Sequence, residues 1–137
     1  MLRGALAGIV AAAVWASAEP VLGRLFRTPY SDRRLLAGLT GRSSAAALAL
    51  HLGNGAVFGA FFERLGARGP LQGALAAQVE NMVLWPTMAV VDRVHPDRRS
   101  GAWPPLFRNG RVFAYEAATH ALFGAVLGLL LPQEPGE

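Results

Sequence analysis

The chain contains no cysteine, which excludes disulfides, thiolate catalysis and cysteine-ligated metals. It contains no lysine either, and all 13 basic residues are arginine. That bias fits a GC-rich coding background and identifies no mechanism. Charge of either sign is scarce. Asp, Glu, Lys and Arg make up 16% of the residues, against roughly 25% in soluble domains. No phosphate loop, nucleotide fingerprint or interpretable Ser/His/Asp spacing occurs in the 137 residues, so no motif names a reaction.

Apolar residues fill the space that charge leaves. They make up 53% of the chain, and the mean hydropathy is +0.32. A single domain of this size cannot hide so much apolar surface from water, and a bilayer removes the difficulty by acting as the solvent. The net charge of +4 and isoelectric point near 11.0 invite a nucleic-acid reading. The arginines, however, lie between apolar runs and not along one face, which argues against it.

Four apolar segments, 3–23, 44–63, 70–91 and 112–131, each approach the ~20 residues that cross a hydrocarbon core. They predict an all-α, integral membrane four-helix bundle occupying the whole chain as one transmembrane domain. Met1-Leu2-Arg3, the Ala/Gly/Val run and Ala16-Ser17-Ala18 also fit a signal peptide with a small-residue cleavage site. Apolar character resumes at Val21, Leu22, Leu25 and Phe26, which favours a retained helix. Residues 64–69 before Pro70 predict a tight turn. Residues 24–43 and 92–111 form two longer polar loops, the first with a capped surface helix at Ser31-Asp32-Arg33-Arg34. The second contains Pro96, Pro104 and Pro105 and is expected to be irregular, with His95 solvated and Trp103 packed on the membrane boundary.

Arginine placement predicts the orientation. Each long loop holds five (Arg24, Arg27, Arg33, Arg34, Arg42; Arg93, Arg98, Arg99, Arg108, Arg111), the opposite side only Arg3, Arg64 and Arg68. The positive-inside rule then puts both loops in the cytoplasm and both termini outside a bacterial inner membrane. The acidic tail, with Glu134 and Glu137, agrees. Trp85, Trp103, Tyr30 and Tyr115 fall towards the loop side, as an aromatic belt would. Arg93, Arg98 and Arg99 are candidates for holding an anionic lipid headgroup.

The two halves of the chain are related. His51-Leu-Gly-Asn-Gly-Ala-Val-Phe-Gly59 aligns with His120-Ala-Leu-Phe-Gly-Ala-Val-Leu-Gly128, and Asp32-Arg33-Arg34 has a counterpart in Asp97-Arg98-Arg99. These predict two helical hairpins around a pseudo-twofold axis along the membrane normal.

Five ionisable side chains fall inside the apolar segments: Glu19, His51, Glu80, Glu116 and His120. Such groups are costly in lipid, and they usually face the bundle interior and serve a function. At 1.5 Å per residue all five lie roughly 7–17 Å below the loop-side boundary, in one layer. Glu116, His120, Gly124 and Gly128 share a stripe, as do His51, Gly55 and Gly59. Gly4, Gly8, Ala12 and Ala16 lead towards Glu19. Asn54 and Asn81 are close enough in sequence to join.

Three chemistries suit such a layer. One is a transition metal (iron, zinc or manganese) held by Glu19, His51, Glu80, Glu116 and His120. A second is haem b with His51 and His120 as axial ligands, the glycine one turn after each leaving room for the macrocycle. A third is a Glu/His relay for protons or ions. The corresponding expectations for the whole protein are a metal- or haem-binding membrane protein, a small proton-coupled transporter or channel, and a non-catalytic scaffold or accessory subunit. A homo-oligomer or a membrane-complex partner is compatible with the small-residue faces.

Arg24-Leu-Phe-Arg-Thr-Pro-Tyr-Ser-Asp32, the His51–Gly59 string, Glu80-Asn-Met-Val-Leu-Trp-Pro86 and Asp92-Arg-Val-His-Pro96 together resemble a group of small multi-pass membrane proteins of high-GC Gram-positive bacteria. The resemblance spans about residues 4 to 130. It implies the membrane class and carries no catalytic residue.

Overall fold

The computed structural model describes residues 1–66 and 68–131. The acidic tail residues Glu134 and Glu137 lie outside the described residues. The chain forms α1 (Leu2–Leu25), α2 (Asp32–Leu39), α3 (Ser44–Arg64), α4 (Pro70–Leu84), α5 (Met88–Val94), α6 (Pro96–Arg99) and α7 (Gly110–Leu130), with no strand among the described residues. A single 3₁₀ turn, Trp85–Thr87, joins α4 to α5. Four spans are long and apolar enough to cross a membrane: Leu2–Leu25, Ser44–Arg64, Pro70–Val94 and Gly110–Leu130. Their outer surfaces carry Val57, Leu71, Val79 and Val83 in the open, more apolar exposure than a soluble monomer tolerates.

Local chemistry sets the ends. Ser31 and Ser43 accept the Arg34 and Ala46 amides at the starts of α2 and α3. Asn109 accepts those of Arg111 and Val112, so α7 begins two residues before its apolar run. Each cap satisfies donors that the first turn cannot pair internally. Pro70 occupies the first turn of α4 after Gly69, whose φ of 90° suits glycine. Pro86 interrupts the third span, because its nitrogen cannot donate and its ring crowds the preceding turn. Thr87 Oγ1 donates to the Leu84 carbonyl at 2.6 Å across the break.

Glycines decide which helices touch. A Cβ on Gly8 would run into the Gly55 carbonyl, and one on Gly4 into that of Gly59. In the second half a Cβ on Gly73 would meet the Gly124 carbonyl, and one on Gly128 that of Gly69. The backbones of α1 and α3, and of α4 and α7, therefore meet directly, as small residues allow in membranes. The hairpin pairing expected from the repeat is present. The α1 side of it is legible too: Arg3-Gly4-Ala5-Leu6-Ala7-Gly8 and Arg68-Gly69-Pro70-Leu71-Gln72-Gly73 share the offset that separates the two Asp-Arg-Arg strings.

The bundle departs from an even twofold arrangement. α1 also packs along α7, whereas no comparable contact joins α3 to α4. The order across the bundle is α3–α1–α7–α4. Ala7, Ala11, Ala12, Trp15, Phe62, Ala77, Phe123 and Leu127 form the core around α1 and α7. α1 is thus a central bundle helix.

The two long loops pack on each other at one end. Arg34 reaches Asp97 at 2.9 Å, and the Trp103 indole donates to the Pro29 carbonyl at 3.2 Å. Several loop residues are not where hydropathy suggests. His95, expected in solvent, is 1% exposed. It stacks on Trp103 with ring centroids 4.4 Å apart, and its ring is bonded to the Leu35 carbonyl at 3.2 Å and to the Asp97 amide. Tyr30, Trp103 and Tyr115 are interior residues, packed with Met88, Leu106 and Val112; they form no boundary belt. The loops interlock, so their aromatic and imidazole rings become a second core.

Gly59→Leu and Gly128→Leu are each expected to destabilise the bundle by about 1–3 kcal/mol or more, the cost of forcing volume into a packed contact. Gly53, with nothing within 4 Å of an added Cβ, should accept leucine within about 0.5 kcal/mol. Unfolding midpoints of the three variants in mild detergent check this, and equal losses at all three positions would contradict it.

Candidate functional site

Because α3 and α4 do not close against each other, a cavity of about 200 Å³ opens on that side. α1 contributes Trp15, α3 contributes His51, Asn54 and Phe58, α4 contributes Glu80 and Asn81, and α7 contributes Glu116 and His120. α2 covers it with Asp32, Leu35 and Leu36, and the 3₁₀ break adds Trp85 and Thr87. Helix breaks at membrane depth are tolerated where they line a cavity, as here.

Four of the five ionisable residues expected to share a layer do line this one space: His51, Glu80, Glu116 and His120. Glu19 does not. It is 3% exposed, and its carboxylate turns to the start of α2. There it accepts the Asp32 amide at 3.0 Å, the Arg33 amide at 3.4 Å and Arg33 Nε at 2.8 Å. Hydrogen bonds to a buried charge are worth about 1.5–3 kcal/mol each, so Glu19 is the staple that fixes α2 over the cavity. In its place the cavity gains Asp32, which the sequence presents only as a helix-start residue.

The second half repeats the device with different residues. Asp92 in α5 accepts Arg98 Nε at 2.8 Å, the Leu106 amide at 2.8 Å and the Phe107 amide at 3.0 Å. Arg98 also donates to the Trp103 carbonyl at 2.6 Å. Both of these nitrogens serve the fold, whereas Arg93 and Arg99, the other two headgroup candidates, are exposed on the surface.

The histidines are held differently from one another. His51 Nε2 donates to the Ala12 carbonyl at 3.0 Å. His120 Nδ1 donates to the Glu116 carbonyl at 2.8 Å and lies 3.3 Å from the Glu116 carboxylate. The flat group that both imidazoles touch is the Trp15 indole, at centroid distances of 5.0 and 4.7 Å. The space beside Gly55 and Gly124, expected to admit a macrocycle, is taken by the backbones of Gly8 and Gly73. Among the described residues no three His, Asp or Glu side chains converge as ligands of one metal ion.

Several polar atoms around the cavity are buried without a partner: Glu116 Oε1, Asp32 Oδ2, Asn81 Nδ2 and Trp15 Nε1. Glu116, Asn81 and Trp15 are 2%, 3% and 8% exposed. An unpaired buried polar group costs about 1–3 kcal/mol, and four of the five such side-chain atoms among the described residues belong to residues that line this one cavity. Tyr30 donates to Asp32 Oδ1 at 3.2 Å.

Burial holds the Asp32 carboxyl well above the usual carboxylate range, and the negative charges of Glu116 and Glu19 push it further the same way. His120 and the Tyr30 hydrogen bond oppose the shift.

The chain belongs to the class of all-helical bundles with four membrane-length helices around a polar cavity. No protein-family model matches it, and no curated protein or solved structure is significantly similar to it.

The raised Asp32 gives a pH dependence whose sign follows from linkage. Above the unfolded-chain value near 3.8, the folded protein retains a proton that the unfolded chain has released. The resulting stabilisation is complete at acid pH and is lost as pH rises through the folded-state value. The unfolding midpoint in detergent should therefore fall from pH 5 to pH 8, and Asp32→Asn should flatten that slope. A wild-type slope that survives unchanged in the variant would assign the effect elsewhere.

Proposed function

We propose that this chain is a small membrane transport protein that binds a compact polar solute in the cavity and couples its movement to protons. The observation that carries the reading is the set of unpartnered polar atoms, Glu116 Oε1, Asp32 Oδ2, Asn81 Nδ2 and Trp15 Nε1, around one membrane-embedded space. A purely structural polar network would satisfy its own members, because a buried core gains nothing from orphaned donors and acceptors.

Two further features support the reading. The third membrane-length segment is broken at Trp85–Thr87 beside the cavity, and discontinuous helices commonly form the binding sites of transporters. Carboxyl and imidazole groups in one space can take up and release protons as a charged solute leaves and enters. In this reading the arginine-rich loops face the cytoplasm of a bacterial inner membrane, both termini lie outside, and α2 is the cytoplasmic cover of the site.

Proteoliposomes with an imposed pH gradient and an internal pH dye test the proposal. Addition of a transported solute should dissipate the gradient faster than in protein-free vesicles. Glu80→Gln and Glu116→Gln should reduce that flux at least tenfold while leaving the protein folded. Flux unaffected by both substitutions would exclude the cavity as the pathway. Folded wild-type protein that moves neither protons nor solutes across a broad panel would leave a binding or accessory role.

A further inference from the structure

We infer that the occupant of the cavity is a compact organic monocation that also carries a hydrogen-bond acceptor, such as a short amino alcohol. This rests on the binding site proposed above and names its ligand class.

Charge selects a cation. Glu80 and Glu116 line the space beside Asp32, whose burial favours its neutral form, and beside His51 and His120, and no arginine does. The Arg33 guanidinium, beside the cavity residue Asp32 in sequence, is turned to Glu19 at 2.8 Å. An anion would meet Glu116, 2% exposed, with no fixed positive charge to offset it. The cost of an unpaired buried charge makes that arrangement unfavourable.

The lining selects an organic cation over a bare metal ion. No three ligands converge on a point among the described residues. The walls include the aromatic groups Trp15, Phe58, Trp85 and Phe123, which suit the alkyl part of an amine and attract its charge through the ring face. A volume of about 200 Å³ lies below the roughly 300–1,000 Å³ of sites for drug-sized ligands, so the molecule is small.

The remaining valences select the acceptor. An ammonium satisfies Glu116 Oε1, but Asn81 Nδ2 and Trp15 Nε1 are donors that still lack a partner. A hydroxyl or carbonyl oxygen near the cationic nitrogen would accept from them. An ammonium lacking such an oxygen leaves both donors orphaned, and it should bind more weakly for that reason.

A size-matched series tests the inference on full-length protein in mild detergent, read by the fluorescence of the native tryptophans. Ethanolamine is the cation, ethylene glycol the neutral isostere, glycolate the anion, and ethylammonium the cation without an acceptor. Ethanolamine should give a saturable change, with ethylammonium several-fold weaker and the neutral and anionic probes at least tenfold weaker. Glu116→Gln should weaken ethanolamine at least tenfold. Asn81→Ala, which leaves the charge intact, should erase its advantage over ethylammonium and keeps the test decisive if Glu116→Gln does not fold. Equal binding of all four probes, preference for glycolate, or no saturable change with either cation would overturn the inference. Ethanolamine binding without flux in vesicles would sink the transport reading alone. Flux driven by a neutral solute, with no cation binding, would sink the ligand class alone.

Discussion

Direct backbone contact between glycines is the constraint on which the rest of this molecule depends. Gly4 and Gly8 seat against Gly59 and Gly55, and Gly69 and Gly73 against Gly128 and Gly124. Lipid tails are as apolar as leucine, so helices in a bilayer gain little by hiding hydrophobic side chains from it; close van der Waals approach holds them together instead. These contacts lie towards the ends of the helices joined by the short 64–69 turn. Towards the other end the same helices carry Trp15, His51, Glu80, Asn81, Glu116 and His120. Larger side chains there prevent equal approach, and the bundle accommodates them around an open space on the α3–α4 side.

The loop end is built to hold a cover over that space. Glu19 and Asp92 each gather two backbone amides and the Nε of an Asp-Arg-Arg arginine. Arg34 and Asp97, one from each copy of the string, join the two loops, and Arg34 lies over the Trp103 ring at 5.3 Å. The acidic residues Glu19, Asp92 and Asp97 are therefore used on the loop arginines Arg33, Arg98 and Arg34. This is the economical arrangement where water is limited, because a carboxylate with three donors is satisfied in place. The carboxyl groups facing the cavity are held by fewer partners: Tyr30 donates to Asp32 Oδ1 and His120 Nδ1 lies 3.3 Å from Glu116 Oε2, while Asp32 Oδ2 and Glu116 Oε1 have no hydrogen-bond partner. Four of the five unpartnered buried side-chain atoms among the described residues thus belong to residues that line the cavity, and the fifth, the Tyr115 hydroxyl, lies in the loop-end core.

Much of this was written into the linear pattern. Continuous apolar runs of near 20 residues placed the four spans within three residues of their ends, because span length answers to bilayer thickness and not to neighbours. The His-x-x-x-Gly-Ala-Val-x-Gly repeat foretold which glycines pack, since a four-residue period puts them on one stripe. The same stripe brought His51, Glu116 and His120 inward, and Glu80 joined them in one cavity.

Tertiary structure alone decided which polar groups meet. Glu19 belongs to the same depth as the others, yet it serves the α2 terminus, because depth fixes height along the bundle and says nothing of which side a group faces. Asp32 entered the site only when α2 folded back across the bundle, and His95 and Trp103 became buried only when the two loops packed together. Periodicity along one helix reveals a face. Whether that face meets a backbone, a carboxylate or an open space is set by the helix opposite, which the linear sequence does not name.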